Sequence, residues 1–354
     1  MNRRQFIGTT ASALALSPLH TLAQTPVVAK ESKRMGISIA SYAYRWNHKE
    51  QSKKYPAFTD ALQVLKHSEK LGAGGIQIGV RGWAAEFAGK VRDAREKMGL
   101  YLEGQISLPR KPEDADRFSR EVKYAKEAGA SILRCVCLGG RRYETFKSLE
   151  EFQSFRKESL EALERAEPIM RKHQVKLAIE NHKDWRIQGL IDILDHLGSE
   201  WMGVTLDTGN NISLLEDPMA VVEKLAPYTF TTHFKDMGVA SYEDGFLLAE
   251  VPLGAGILDL NKVVEICQTH NPDVTFNLEM ITRDPLKIPC MTDQYWETFR
   301  TVSGKDLAST LRMVEQHGQK LPTVSKKTSE ERLAFEEKNV KDSFQYAVKN
   351  LGLK

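Results

Sequence analysis

The chain has 354 residues, 41% hydrophobic and 27% charged, which excludes a disordered composition and leaves room for one large α/β domain or two smaller ones. A formal net charge of +3 supplies no strongly basic face, so nucleic acid is not expected as a partner.

The N-terminus carries an address. Asn2-Arg3-Arg4-Gln5-Phe6-Ile7-Gly8 resembles a twin-arginine export motif, and a mild apolar stretch from Ala11 to Leu16 leads to Thr21-Leu22-Ala23. Residues 1–23 therefore read as a signal cleaved after Ala23, with 24–34 as a linker. The twin-arginine export machinery is the expected partner and the periplasm the expected location. The apolar run is too short and too polar for stable membrane insertion.

Strand-like and helix-like segments then alternate. Strands are expected at Gly36–Tyr42, Gly75–Val80, Tyr101–Ser107, Ile132–Leu138, Val175–Glu180, Gly203–Leu206, Thr229–His233 and Val274–Glu279. They are short, apolar and β-branched, and look covered on both faces. Between them run amphipathic helices: Thr59–Leu71, Trp83–Met98, Pro112–Ala128, Leu149–His173, Gln188–Leu197, Pro218–Leu225 and Leu260–His270. Asp217 before Pro218 and Asp259 before Leu260 are N-cap residues, and Gly72, Gly99 and Gly129 end helices. Cys135 and Cys137 share a strand face and read as packing residues. Eight such βα units predict a closed (β/α)8 barrel over residues 35–320. Arg283–Thr301 reads as an extended loop over the catalytic face. Residues 321–354 form a C-terminal helical extension, with Phe335, Phe344, Tyr346, Val348 and Leu351 as its apolar stripe. It packs on its own barrel or on a second copy of the chain, which leaves a homo-oligomer open.

Four strands in the second half end in metal-binding side chains: Glu180, Asp207, His233 and Glu279. In a barrel, side chains at the C-terminal strand ends converge on one mouth. Each alone is weak evidence, because strand-end acids also cap helices and anchor loops. Three carboxylates and one imidazole together suit a single Mn²⁺, Mg²⁺ or Co²⁺ ion, or an open zinc site.

The segments Ile179-Glu180-Asn181-His182, Leu206-Asp207-Thr208-Gly209-Asn210, His233-Phe234-Lys235-Asp236 and Asn277-Leu278-Glu279 resemble, in that order, the xylose isomerase-like barrel superfamily. That resemblance implies a metal held by Glu180, Asp207, His233 and Glu279, with Glu180 and Glu279 as a catalytic acid/base pair. Independently, a metal beside a carbonyl stabilises an enediolate, and two carboxylates can take and return the proton. The expected function is therefore isomerisation or epimerisation of a sugar or keto-sugar. The alternatives are a lyase or dehydratase on 3-keto-sugars or 3-keto-glycosides, and a sugar-binding protein without catalysis.

Substrate contacts are expected from His182 and Lys235, each two residues past a ligand, from Gln105 at the end of the third strand, from Arg283 and from Trp185 as a stacking surface. The chain departs from known ketose epimerases at Asn210 and Gln105, where several relatives carry histidine, so substrate or reaction can differ. Gly254-Ala255-Gly256 reads as a tight turn, and Gly139-Gly140-Arg141-Arg142 as a solvated basic loop.

Overall fold

A computed structural model describes residues 35–46 and 52–353. The expected export signal and linker lie outside the described residues. Eight strands close into a parallel barrel: β1 (Gly36–Ser38), β2 (Gly75–Gly79), β3 (Tyr101–Gln105), β4 (Ile132–Cys135), β5 (Lys176–Glu180), β6 (Met202–Asp207), β7 (Thr229–Phe234) and, after an inserted hairpin, β10 (Thr275–Leu278). The hairpin is β8 (Asp236–Tyr242) with β9 (Gly245–Val251); β11 (Leu286–Ile288) joins it to make a three-stranded antiparallel sheet.

The barrel strands alternate more than the sequence suggests. Ile76, Leu102, Leu133, Leu177, Ile179, Val204, Leu206, Phe276 and Leu278 are buried in the main apolar cluster with the helices. Fully burying one such side chain stabilises by roughly 1.5–3 kcal/mol. The alternate positions meet across the barrel and are polar. Glu103 accepts from Gln77 Nε2 (3.1 Å), Thr231 Oγ1 (2.8 Å), Asn277 Nδ2 (2.9 Å) and Thr275 Oγ1. Room for this interior comes partly from glycine. A Cβ on Gly36 would lie 1.9 Å from the Tyr101 hydroxyl, and one on Gly75 2.3 Å from the Tyr101 ring. Burial with satisfied partners makes this polar interior tolerable.

The helix ends follow their caps. Asp217 accepts from Ala220 N (2.8 Å) and Asp259 from Lys262 N (3.0 Å), while Gly72 and Gly99 take left-handed φ. Leu149–His173, Pro218–Leu225 and Leu260–His270 are helices over the expected bounds.

Three expectations are corrected. Arg283–Thr301 is not one extended loop, since it holds β11 and a short helix at Asp293–Trp296. Arg142 is not solvated: it is buried, donates to Thr298 Oγ1 (3.1 Å) and lies 3.6 Å from the Phe152 ring centre. The C-terminal helix, Ser329–Asn350, turns Leu333, Val340, Phe344 and Ala347 inward, whereas Val348 is exposed.

That helix lies on its own barrel, and its inward face is partly polar. Glu336 accepts from Tyr44 N (2.9 Å), Glu337 pairs with Arg45 (3.1 Å), and Asn339 Nδ2 donates to Thr282 Oγ1 (3.0 Å). Burial pushes the Glu336 carboxyl up from 4.5 to about 8. A raised acid binds its proton more tightly in the folded chain. The stabilisation is therefore complete below the unfolded value and lost as pH rises toward about 8. Glu336→Gln is expected to stabilise the protein by about 1–3 kcal/mol at about pH 9 and to change little at about pH 4. Denaturant unfolding at both pH values checks this, and an equal effect at both would exclude Glu336 as the titrating group.

Candidate metal centre

Strand parity explains why the expected ligands meet. Glu180 ends β5, Asp207 ends β6, His233 lies one residue before the end of β7, and Glu279 directly follows β10. Asp207 and His233 are partners in the ladder, as are His233 and Asn277 two residues before Glu279. All four side chains are buried, and one ligand atom from each lies within 4.8 Å of the others. Loop amides fix Asp207: its Oδ1 accepts from Gly209 N (2.9 Å) and Asn210 N (2.7 Å). Asn181 clamps the neighbouring strand end through Asp207 N (2.7 Å) and Asp207 O (2.9 Å).

His233 decides whether a cation fits. Its Nε2 lies 2.6 Å from Gln77 Oε1. Gln77 donates its amide nitrogen to Glu103 (3.1 Å), so its oxygen faces His233 and accepts. A neutral His233 then carries its lone pair on Nδ1. That atom is buried and has no hydrogen-bond partner, yet it stands 3.0 Å from Glu279 Oε1 and 3.3 Å from Glu180 Oε2. Facing acceptors need a proton or a metal between them. Burial pulls the His233 pKa down, but Glu279 and Glu180 outweigh it and carry it up to about 9. A divalent cation satisfies the same three groups without that proton, and the Gln77 hydrogen bond on the other ring nitrogen is the support a ligating histidine requires. The residues fit the ion.

Fixed cations complete the site. Lys235 Nζ sits 2.8 Å from Asp207 Oδ2 and 2.5 Å from Glu279 Oε2. Arg134 Nε donates to Glu180 Oε2 (2.5 Å), and Asn210 Nδ2 donates to Glu180 Oε1 (3.0 Å). Burial favours the neutral acid at Glu180, but Arg134 and His233 outweigh it and hold the group below the usual carboxylate range. At Glu279 burial is likewise outweighed, by His233 and Lys235. Both glutamates are therefore ionised near neutrality.

The expected substrate contacts divide. Lys235 lies in the centre of the cluster. His182 is beside it; burial drives its pKa down to about 3, so its ring is neutral, and its Nδ1 has no hydrogen-bond partner. Gln105 donates to Ser38 Oγ (3.2 Å) and Gln77 Oε1 (3.0 Å) at the barrel mouth. Arg283 grips Glu250 of β9, with Nε 3.0 Å from Oε2. Trp185 is buried and stacked on Phe155 at 5.5 Å, in packing rather than on an open face. Asp236 organises the Gly254–Leu258 turn, accepting from Gly254 N (3.0 Å), Gly256 N (2.9 Å) and Leu258 N (3.1 Å).

Sequence reasoning missed Arg134, Gln77, Lys183 and Glu250. Gln77 and Arg134 carried a signal, as polar residues inside otherwise apolar strands. Lys183 donates to Asn210 Oδ1, and burial takes its pKa down to about 8. Glu250 lies 3.9 Å from Lys235 Nζ only because the hairpin folds back on the mouth.

Comparison with known proteins agrees with this architecture. The chain is 24% identical over 247 residues to the 3-oxo-isoapionate decarboxylase of Pectobacterium atrosepticum, spanning 68% of this chain and 83% of that one. Among solved structures, it is similar to a xylose isomerase-like TIM barrel protein from Mycobacterium smegmatis in complex with magnesium. The TM-score is 0.54 at 15% identity, covering 79% of this chain and 98% of that one. It is also similar to D-psicose 3-epimerase from Clostridium cellulolyticum H10 with D-tagatose. Here the TM-score is 0.54 at 11% identity, covering 80% and 99%. At these identities the structural likeness establishes the fold alone. The family's own sequence pattern extends over residues 65–300, from the first long helix to beyond Glu279, and the chain thus belongs to the xylose isomerase-like TIM barrel family.

Proposed function

We propose that the chain is a metal-dependent isomerase or epimerase of a sugar or keto-sugar that works through an enediolate. The observation carrying this is the convergence of two ionised glutamates, Glu180 and Glu279, on His233 Nδ1 within a four-residue set compact enough for one ion. A divalent cation held by Glu180, Asp207, His233 and Glu279, Mn²⁺ first, would supply polarisation of a substrate carbonyl. The chain's own residues do the rest. Glu180 and Glu279 enter from β5 and β10, the strands that flank the β6–β7 pair, so they can address two sides of one carbon. One removes the proton beside the carbonyl, and a carboxyl of the pair returns it. Lys235, fixed between Asp207 and Glu279, offsets the negative charge that develops. Neutral His182 can hold a substrate hydroxyl.

A second reading is a lyase or decarboxylase on a 3-keto-sugar derivative, with the same residues stabilising the same charge. The similarity to 3-oxo-isoapionate decarboxylase favours it. Proton exchange in D₂O, followed by NMR with Mn²⁺-loaded protein and a panel of sugars, sugar acids, sugar phosphates, 3-keto-sugars, 3-keto-sugar acids and 3-keto-glycosides, separates the two. Deuterium at an α-carbon with the skeleton retained supports isomerisation or epimerisation. Loss of CO₂, water or an aglycone moves the assignment to the lyase. No exchange on any member of the panel would sink both readings.

We also propose that the protein is exported by the twin-arginine route to the periplasm, on the strength of Asn2-Arg3-Arg4-Gln5-Phe6. The double variant Arg3→Lys, Arg4→Lys should then hold the full-length protein in the cytoplasm. Unchanged export in that variant would refute the assignment.

A further inference from the structure

The ion-binding set occupies one side of the barrel mouth, at the ends of β5, β6, β7 and β10. The other side, at the ends of β2, β3 and β4, holds a cleft of about 400 Å³. Three arginines line it, Arg81, Arg110 and Arg134, together with Gln105. Ile106, Leu108 and Val136 supply apolar wall, and no Asp or Glu lines the cleft. Arg81 and Arg110 are exposed, and neither has an acidic partner within 4.0 Å among the described residues. Arg110 is aimed by donating to the Cys137 carbonyl. The cleft and the metal set share two supports: Arg134 lines the cleft while binding Glu180 (2.5 Å), and Gln105 lines it while binding Gln77, which holds His233.

A concave surface of one charge sign beside a reaction centre concentrates ligands of the opposite sign. Planar guanidinium groups match a carboxylate or phosphate in a paired geometry that a neutral hydroxyl cannot use. A simple ketose offers nothing of that kind. We infer that the substrate carries an oxyanion substituent, a sugar acid's carboxylate or a phosphate, which the Arg81–Arg110–Arg134 cleft binds while the reacting carbons lie over Glu180 and Glu279. This rests on the proposed function for the identity of the site, but not for the existence of the cleft.

The test is equilibrium binding of D-galacturonate, D-galactose 6-phosphate and neutral D-galactose to Mn²⁺-loaded protein at fixed ionic strength. The same titrations are repeated on the double variant Arg81→Gln, Arg110→Gln. Arg134 is left intact because it holds Glu180. At least one anionic sugar should bind about tenfold or more tightly than galactose, and the double variant should lose that advantage while retaining its Mn²⁺. Preference for galacturonate assigns the site to a carboxylate, and preference for the 6-phosphate assigns it to a phosphate. Direct chelation of Mn²⁺ by the probe would persist in the variant and is thereby separated. Equal binding of charged and neutral sugars, a preference surviving in the variant, or no binding of either anion overturns the inference. Arginine-dependent anion binding without any proton exchange in D₂O would instead leave the cleft standing and remove the proposed reaction.

Discussion

Glu279→Gln is expected to lower kcat by about 10³-fold or more, within the range that a positioned acid or base contributes. The carboxylate stands 3.0 Å from His233 Nδ1 and 2.5 Å from Lys235 Nζ, and those neighbours hold it ionised against the effect of burial. Glutamine keeps the shape and one oxygen but cannot take a proton. Glu180→Gln should fall in the same range and also strand Arg134, which otherwise binds Glu180 Oε2. Steady-state rates on the substrate identified by proton exchange, with thermal unfolding as the control for folding, decide the matter. A Glu279→Gln enzyme within about threefold of wild type would remove this residue from the acid/base pair.

Lys235→Met carries the second large effect, on stability as well as turnover. The side chain is 1% exposed and ties Asp207 to Glu279. Burial raises the Asp207 pKa to about 6 even with Lys235 pulling it down. Removing the ammonium leaves two buried carboxylates facing each other, a loss of about 3–5 kcal/mol for a broken buried pair. Saturating Mn²⁺ should restore part of it, because an ion bound only by the folded state adds to its stability. Denaturant unfolding with chelator and with Mn²⁺ measures both quantities. Unchanged stability in chelator, or a loss that Mn²⁺ does not relieve, would mean that Lys235 and the ion do not share one charge cluster.

The barrel was legible because its strands are short and apolar and its helices announce their caps. Asp217, Asp259, Gly72 and Gly99 act locally, so a linear reading finds them. The clustering of Glu180, Asp207, His233 and Glu279 was legible for a related reason: strand ends in a parallel barrel point to one place wherever the intervening helices run. The polar interior was harder. Glu103 and Gln105 lie two apart on β3, a period-two signal, yet the Glu103 partners Thr231 and Asn277 are more than a hundred residues away. The hairpin β8–β9 turns at Asp244-Gly245, a local signal absent from the expected series of strands and helices. Glu250 could not be found at all from the sequence, because its place against Arg283 and Lys235 depends on how that hairpin folds over the mouth. Trp185 and Arg142 illustrate the opposite error: an aromatic residue near a strand end looks like a ligand contact, and a basic residue in a loop looks solvated, until their stacking partners, Phe155 and Phe152, are in view.

The direct test of the account is Mn²⁺ binding to chelator-stripped protein, counted by loss of the free-ion EPR signal in wild type and in His233→Leu. One ion per chain, weakened about 100-fold or more by the substitution, is the predicted result. Failure of the wild type to bind Mn²⁺, or an ion held equally well without the His233 imidazole, would contradict the metal centre and the chemistry built on it.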